Sequence, residues 1–141
     1  MGGQSFVGTW RLRSLQHNTE DGQIRYPFGE DAQGYIMYSP DGYMAVAIMN
    51  PHRPRYASED IRGGTTSEKE AAADSYVSYC GKYKVQGDRV IHHVEVSFFP
   101  NFVGQSIVRY FKLQGNLLTL TTPPFLFEGR QETGKLVWER V

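Results

Sequence analysis

The sequence predicts an all-β protein: one up-and-down antiparallel β-barrel of about eight to ten strands with a single short α-helix. Two observations carry that expectation. Short segments that alternate apolar and polar residues recur along the whole chain, and most are separated by tight turn signals such as Pro40-Asp41-Gly42, Gly87-Asp88 and Gly115-Asn116. Spacing of this kind belongs to sandwiches and barrels. Hairpins that follow one another in sequence favour the barrel, whose closure also removes exposed strand edges.

The elements are expected in this order. Phe6 to Leu15 reads as the first strand, with Phe6, Gly8, Trp10 and Leu12 on one face and Thr9, Arg11 and Arg13 on the other. After the Asp21-Gly22 turn, a short extended piece covers Gln23 to Tyr26 and stops at Pro27. Gly34 to Ser39 and Tyr43 to Met49 form the clearest hairpin. A long polar loop, Asn50 to Thr66, follows. Ser67 to Cys80 reads as the one helix, with Ser67 and Glu70 as a capping box and Ala72, Ala73, Tyr76, Val77 and Cys80 as an apolar stripe. Strands then resume over Gly81 to Val85, Val90 to Phe99, Gln105 to Leu113 and Leu117 to Thr122. Phe125 to Phe127 pairs briefly, and Leu136 to Val141 closes the chain.

With 141 residues and no composition break, internal repeat or low-complexity segment, residues 1–141 are expected to be one domain. Fifteen basic residues balance fifteen acidic ones and no Lys or Arg run occurs, which argues against nucleic acid or an anionic membrane as partner. Cys80 is the single cysteine, so no disulfide within the chain is available. The N-terminus has no apolar signal region. Met1-Gly2-Gly3 is like the start of a myristoylation signal, but Phe6 stands where that signal needs Ser or Thr. These readings point to a cytoplasmic location. The oligomeric state stays open.

The start of strand one, Phe6-Val7-Gly8-Thr9-Trp10, resembles the Gly-x-Trp signature of lipocalins and fatty-acid-binding proteins. In those families the Trp closes the barrel floor and a basic residue near the end of the last strand packs across it. Leu136-Val137-Trp138-Glu139-Arg140 sits in the corresponding place, so the resemblance implies Gly8, Trp10, Trp138 and Arg140 as the closure of the barrel. The whole chain is similar to the bacterial and fungal lipocalin-like domain family of the calycin superfamily, through Tyr26-Pro27-Phe28-Gly29, Gly34-Tyr35-Ile36-Met37-Tyr38, Pro40-Asp41-Gly42, His92-His93-Val94-Glu95 and Pro100-Asn101. The resemblance implies a calycin barrel with a cavity. It implies no single chemistry, since such barrels serve carriers, isomerases and cyclases.

Among candidate functional residues, Arg109 is the sharpest. It shares a strand face with Ile107, Phe111 and Leu113, and an inward Arg needs an anionic partner, either a ligand carboxylate or an internal acid. His92 shares a face with Val90, Val94, Val96 and Phe98; it reads either as a satisfied core histidine or as a proton-transfer group. The hairpin is expected to place Arg109 opposite residues 92 to 94. On the other face His93 and Glu95 form a pair able to act as acid and base, or simply a solvated surface. No third ligand stands near them, so no metal is expected, and no cofactor-binding motif is present. Tyr35, Met37, Tyr43, Ala45, Ala47 and Met49 read as a cavity lining that mixes small and large side chains, with Tyr83 and Tyr110 as weaker candidates.

Three readings of function stay open. One is a binding protein for a small hydrophobic molecule, its carboxylate or carbonyl held near Arg109. A second is a cofactor-independent isomerase, cyclase or dehydratase acting on a hydrophobic metabolite in the same cavity, with His92, His93 and Glu95 as catalytic groups. A partner-binding domain with a filled barrel is a third reading.

Overall fold

The computed structural model describes residues 6–141, so the Met1-Gly2-Gly3 start lies outside the described residues. Among the fully described elements, ten strands and the helix α1 follow in order: β1 (Gly8–Thr19), β2 (Ile24–Arg25), β3 (Gln33–Tyr38), β4 (Tyr43–Met49), α1 (Thr66–Asp74), β5 (Tyr76–Gln86), β6 (Arg89–Ser97), β7 (Ser106–Gln114), β8 (Leu117–Thr121), β9 (Phe125–Phe127) and β10 (Arg130–Arg140). All pairings are antiparallel. Because β1 pairs with β3 on one side and β10 on the other, β1, β3 to β8 and β10 close into an eight-stranded barrel. The short β2 and β9 extend the sheet beside β1 and β10.

The connections sort the barrel's two ends. Pairs such as Gly8 with Tyr38, Gln86 with Arg89, Gln114 with Leu117 and Trp10 with Arg140 lie at one end, where the turns are tight. The opposite end carries the longer segments: 20–32, 50–75, 98–105 and 122–129. Inside, Trp10, Leu12, Ile36, Met44, Val46, Val90, Val94, Leu118, Leu120 and Trp138 are buried and form one apolar core. Each large side chain removed from water contributes roughly 1.5–3 kcal/mol, which is why alternating strands close around one face.

Several sequence expectations change. The helix ends at Asp74, and residues 76–80 belong to strand β5, where Tyr76 to Lys82 pair with β4. Tyr76, Val77 and Tyr79 favour a pleated sheet, and a full ladder with β4 outweighs the helical spacing that Ala72, Ala73, Tyr76, Val77 and Cys80 suggest. The helix cap also lies two residues earlier than expected. Thr65 and Glu68, not Ser67 and Glu70, form the capping box. Cys80 therefore sits half-buried on a strand, opposite Ala45 on the outer face.

Strand β1 runs four residues further than Leu15, and a register shift between Leu12 and Ser14 changes which residues face inward. Trp10 and Leu12 point inside before it; Leu15 and His17 point inside after it. A second bulge between Cys80 and Gly81 interrupts the β5–β6 ladder. A Cβ on Gly81 would stand 2.0 Å from the carbonyl oxygen of His93, so only glycine lets the two backbones approach there. Beyond this bulge Val96 and Phe98 are exposed instead of sharing the inner face of Val90, His92 and Val94.

Candidate functional site

The barrel centre holds a buried polar group. His92, on the inner face of β6, receives Tyr38 from β3 and Tyr79 from β5. The Tyr38 hydroxyl lies 2.7 Å from Nε2 and the Tyr79 hydroxyl 2.7 Å from Nδ1. All three side chains are almost wholly buried. Burial, with the charges of Arg109 and His93, pushes the imidazole down to about 3, so His92 is neutral at ordinary pH. A neutral imidazole has one N–H, so one tyrosine accepts from the ring and the other donates to it. Burial likewise raises the Tyr38 and Tyr79 phenols above their usual range, with the Arg109 charge opposing it. Tyr83, opposite His92 on β5, stacks edge-on against Tyr38 at 4.8 Å and donates to the Ser39 carbonyl.

Arg109 lies opposite the fully buried Val90, two residues from the expected position, while Ile107 lies opposite His92. Its guanidinium is part-buried on the inner face and donates to the Val108 carbonyl at 3.0 Å. Among the described residues no carboxylate pairs with it. A second inner donor is unspent. The Nε1–H of Trp138, fully buried between the paired Leu12 and Leu118, has no hydrogen-bond partner.

At the tight-turn end, the guanidinium of Arg140 stacks over Trp10 with its Cζ 4.2 Å from the ring centroid and donates to the Val7 carbonyl at 2.8 Å. The Trp10 indole donates to the Phe6 carbonyl at 3.0 Å. A Cβ on Gly8 would lie 2.7 Å from Nη1 of Arg140, so the glycine makes room for this stack.

Other candidates lie elsewhere. The inner residues of the β3–β4 hairpin are Ile36, Tyr38, Met44, Val46 and Ile48. Tyr35, Met37 and Tyr43 are exposed, and Ala45, Ala47 and Met49 share their outer face. Both faces of this hairpin are apolar or aromatic, so alternation alone does not say which is inside. The structure therefore corrects the expected lining to the opposite parity. His93 and Glu95 are on the outer face as well; His93 bonds the Ser106 hydroxyl at 2.8 Å and forms no hydrogen bond or ion pair with Glu95. Tyr110 is exposed beneath the guanidinium of Arg89.

Sequence reasoning missed a second buried polar cluster at the long-loop end. Nδ1 of His17 lies 2.9 Å from Oε1 of Glu132, whose side chain is fully buried, and Arg25 reaches the other carboxylate oxygen at 3.1 Å. Burial lowers the His17 imidazole while Glu132 opposes that shift. The bulge in β1 hides His17 from a simple alternation, and nothing in the sequence marks Glu132 as inward.

A model of the lipocalin-like domain matches residues 7–141. The chain belongs to the lipocalin-like domain family. It is also similar to the 4'-hydroxy-3'-methoxypropiophenone carrier protein of Aspergillus oryzae (strain ATCC 42149 / RIB 40), 29% identical over 107 residues that span 70% of this chain and 96% of the relative. In this lipocalin-like protein no helix among the described residues is long and apolar enough to cross a membrane.

Proposed function

We propose that this lipocalin-like protein is a carrier that encloses one small aromatic or otherwise apolar molecule, and that Arg109 holds the ligand's carbonyl or carboxylate. One observation carries the reading: a cation on the inner face of an apolar barrel, beside Tyr38, His92 and Tyr79, with no acid paired to it among the described residues. A part-buried guanidinium with a single backbone acceptor has donors to spare, and a bound oxygen would use them. The Trp138 Nε1–H offers a further donor of the same kind. The similarity to a carrier of an aryl ketone favours a carbonyl-bearing aromatic ligand.

The catalytic reading lacks comparable support. Both nitrogens of His92 are held by tyrosines, and a group pushed down to about 3 is a weak base at neutral pH. His93 and Glu95 face away from the interior.

Titration of the protein with an aryl ketone, followed by the quenching of its tryptophan fluorescence, tests the proposal. Wild-type protein is expected to bind, and Arg109→Met to bind roughly ten- to a hundredfold more weakly, the range for a hydrogen bond to a charged group. Equal affinity in the two proteins would remove Arg109 from the site. Native mass spectrometry of freshly purified protein would show any small molecule that travels with it.

A further inference from the structure

We propose that the outer face of strands β3 to β6 is the interface of a homodimer, in which two copies of this chain pack sheet on sheet. The inference is independent of the carrier reading. In an antiparallel barrel the inner face of each strand is apolar and the outer face polar, because only the inner one is covered. The β3–β4 hairpin departs from that pattern. Ile36, Tyr38, Met44, Val46 and Ile48 fill the interior, yet Tyr35, Met37, Tyr43 and Ala45 are exposed on the opposite side. A hairpin that is apolar on two faces is suited to being covered on both. The barrel covers one of them.

The ladder pairs join the outer residues into one surface. Met37, Ala45, Cys80 and Val96 stand side by side across β3, β4, β5 and β6. Two residues nearer the long-loop end, Tyr35, Ala47 and Ser78 form a second row. Phe98 extends it, since its amide donates to the Ser78 carbonyl at 2.9 Å and its ring meets Tyr76 edge-on at 5.6 Å. Neither row contains a charged residue. Five large side chains, Tyr35, Met37, Tyr43, Val96 and Phe98, leave roughly 450 Å² bare, and the smaller residues between them add more. With its polar flanks the face reaches about 800 Å² per copy, the area a standard interface takes from each side.

Charge complementarity favours a second copy as the occupant. Arg11, opposite Tyr35, flanks the face on β1, and Glu95, at the bulge of β6, flanks it on the other side. A two-fold axis running along the strands turns the β1 flank of each copy over the β6 flank of the other, bringing cation toward acid on both sides. Lys82 borders the face at the tight-turn end, laid over the Tyr43 ring. Fifteen acids and fifteen bases leave the chain with no net charge, so two copies meet without long-range repulsion.

Sedimentation equilibrium of the whole chain reads the assembly directly. The wild type is expected at twice the 16.0 kDa of one chain at micromolar concentration, and to dissociate on dilution. Met37→Lys and Val96→Lys each put a cation into the central row and should weaken dimerisation roughly a hundredfold or more. Both side chains are already exposed, so neither change disturbs the barrel core. Leu126→Lys is the control. Leu126 is as exposed as these residues but lies on β9, away from the face, and this variant should dimerise as the wild type does. The unmutated protein gives a second readout: dilution should shift the amide signals of Met37, Ala45 and Cys80 and leave those of Phe111 and Leu120 in place. A wild type that stays monomeric up to millimolar concentration, or that forms trimers or larger species, would overturn the proposal. So would a dimer that survives both lysines, one lost in Leu126→Lys, or amide shifts confined to other strands.

Discussion

The hydroxyl of Tyr38 lies 2.7 Å from Nε2 of His92, across the interior of the barrel from β3 to β6. With Tyr79 on the other ring nitrogen, a buried imidazole meets both of its hydrogen-bonding requirements from side chains on separate strands. Tyr38→Phe leaves one nitrogen of a buried ring unpaired and should destabilise the fold by roughly 1–3 kcal/mol. Tyr79→Phe should behave alike. Tyr83→Phe should cost less, because its hydroxyl only caps the Ser39 carbonyl near the barrel's end. Urea denaturation of the three variants checks the ranking. Equal costs for all three would mean that the His92 bonds carry no special weight.

The same ring makes stability depend on pH. His92 is held down to about 3 by burial first, then by Arg109 and His93, against an ordinary value of 6.5. Between those limits the unfolded chain binds a proton that the folded protein refuses, so stability rises with pH across the window. It is complete above about 6.5 and is lost as pH falls toward 3, by up to about 1.4 kcal/mol per pH unit from this one group. His17 is shifted in the same direction by its burial and adds to the loss. Carboxylates also titrate there, so the informative quantity is the difference between wild type and His92→Leu. The variant's profile should be flatter between pH 6 and 4. Parallel profiles would show that His92 does not titrate with unfolding.

Much of the fold was legible in the sequence because turns and closure are local signals. Pro40-Asp41-Gly42, Gly87-Asp88 and Gly115-Asn116 mark the tight turns they were expected to mark, and Gly8, Trp10 and Arg140 meet at one end of the barrel. What failed was parity. The Tyr35 to Tyr38 segment offers an aromatic or Met on each face, and only the closed barrel decides that Ile36 and Tyr38 go in. The helix was overrun for a related reason. Alanines followed by Tyr76, Val77 and Cys80 fit a helical stripe, but the ladder with β4 is a long-range fact. The inward placement of Arg109 and His92 could be read because each interrupts an otherwise apolar alternation. That of His17 and Glu132 could not, because a bulge shifts the first and an isolated acid in a polar stretch signals nothing.

The stack of Arg140 on Trp10 should be worth measuring as a coupled pair with Gly8. Arg140→Met removes a desolvated cation–π contact and the donor to the Val7 carbonyl, and should cost about 2 kcal/mol or more. Gly8→Ala places a Cβ within 2.7 Å of the guanidinium at a backbone φ of +139°, which L side chains rarely adopt. Its cost in wild type therefore combines a steric and a backbone part. In the Arg140→Met background the steric part is relieved, so Gly8→Ala should cost less there. Thermal denaturation of the four proteins in this cycle reads the coupling directly. Strict additivity would show that the glycine is needed only for its backbone angle.

Helix α1 should respond very differently from the barrel. Thr65 and Glu68 exchange hydrogen bonds between side chain and backbone, at 3.1 and 2.9 Å, and Glu68 also accepts from the Ala57 amide at 3.0 Å. One carboxylate thus starts the helix and ties the preceding loop to it. None of the helix residues is buried, however, so the helix adds little to the core. Glu68→Ala should release the 50–75 segment without unfolding the barrel, because local opening and global unfolding draw on different contacts. Hydrogen exchange should show faster exchange at the Ala57, Thr65 and Glu68 amides, with the amides of β1 and β10 unchanged. Cleavage by a nonspecific protease should concentrate in the same segment. A large fall in the global unfolding midpoint would instead mean that the segment helps hold the barrel's long-loop end together.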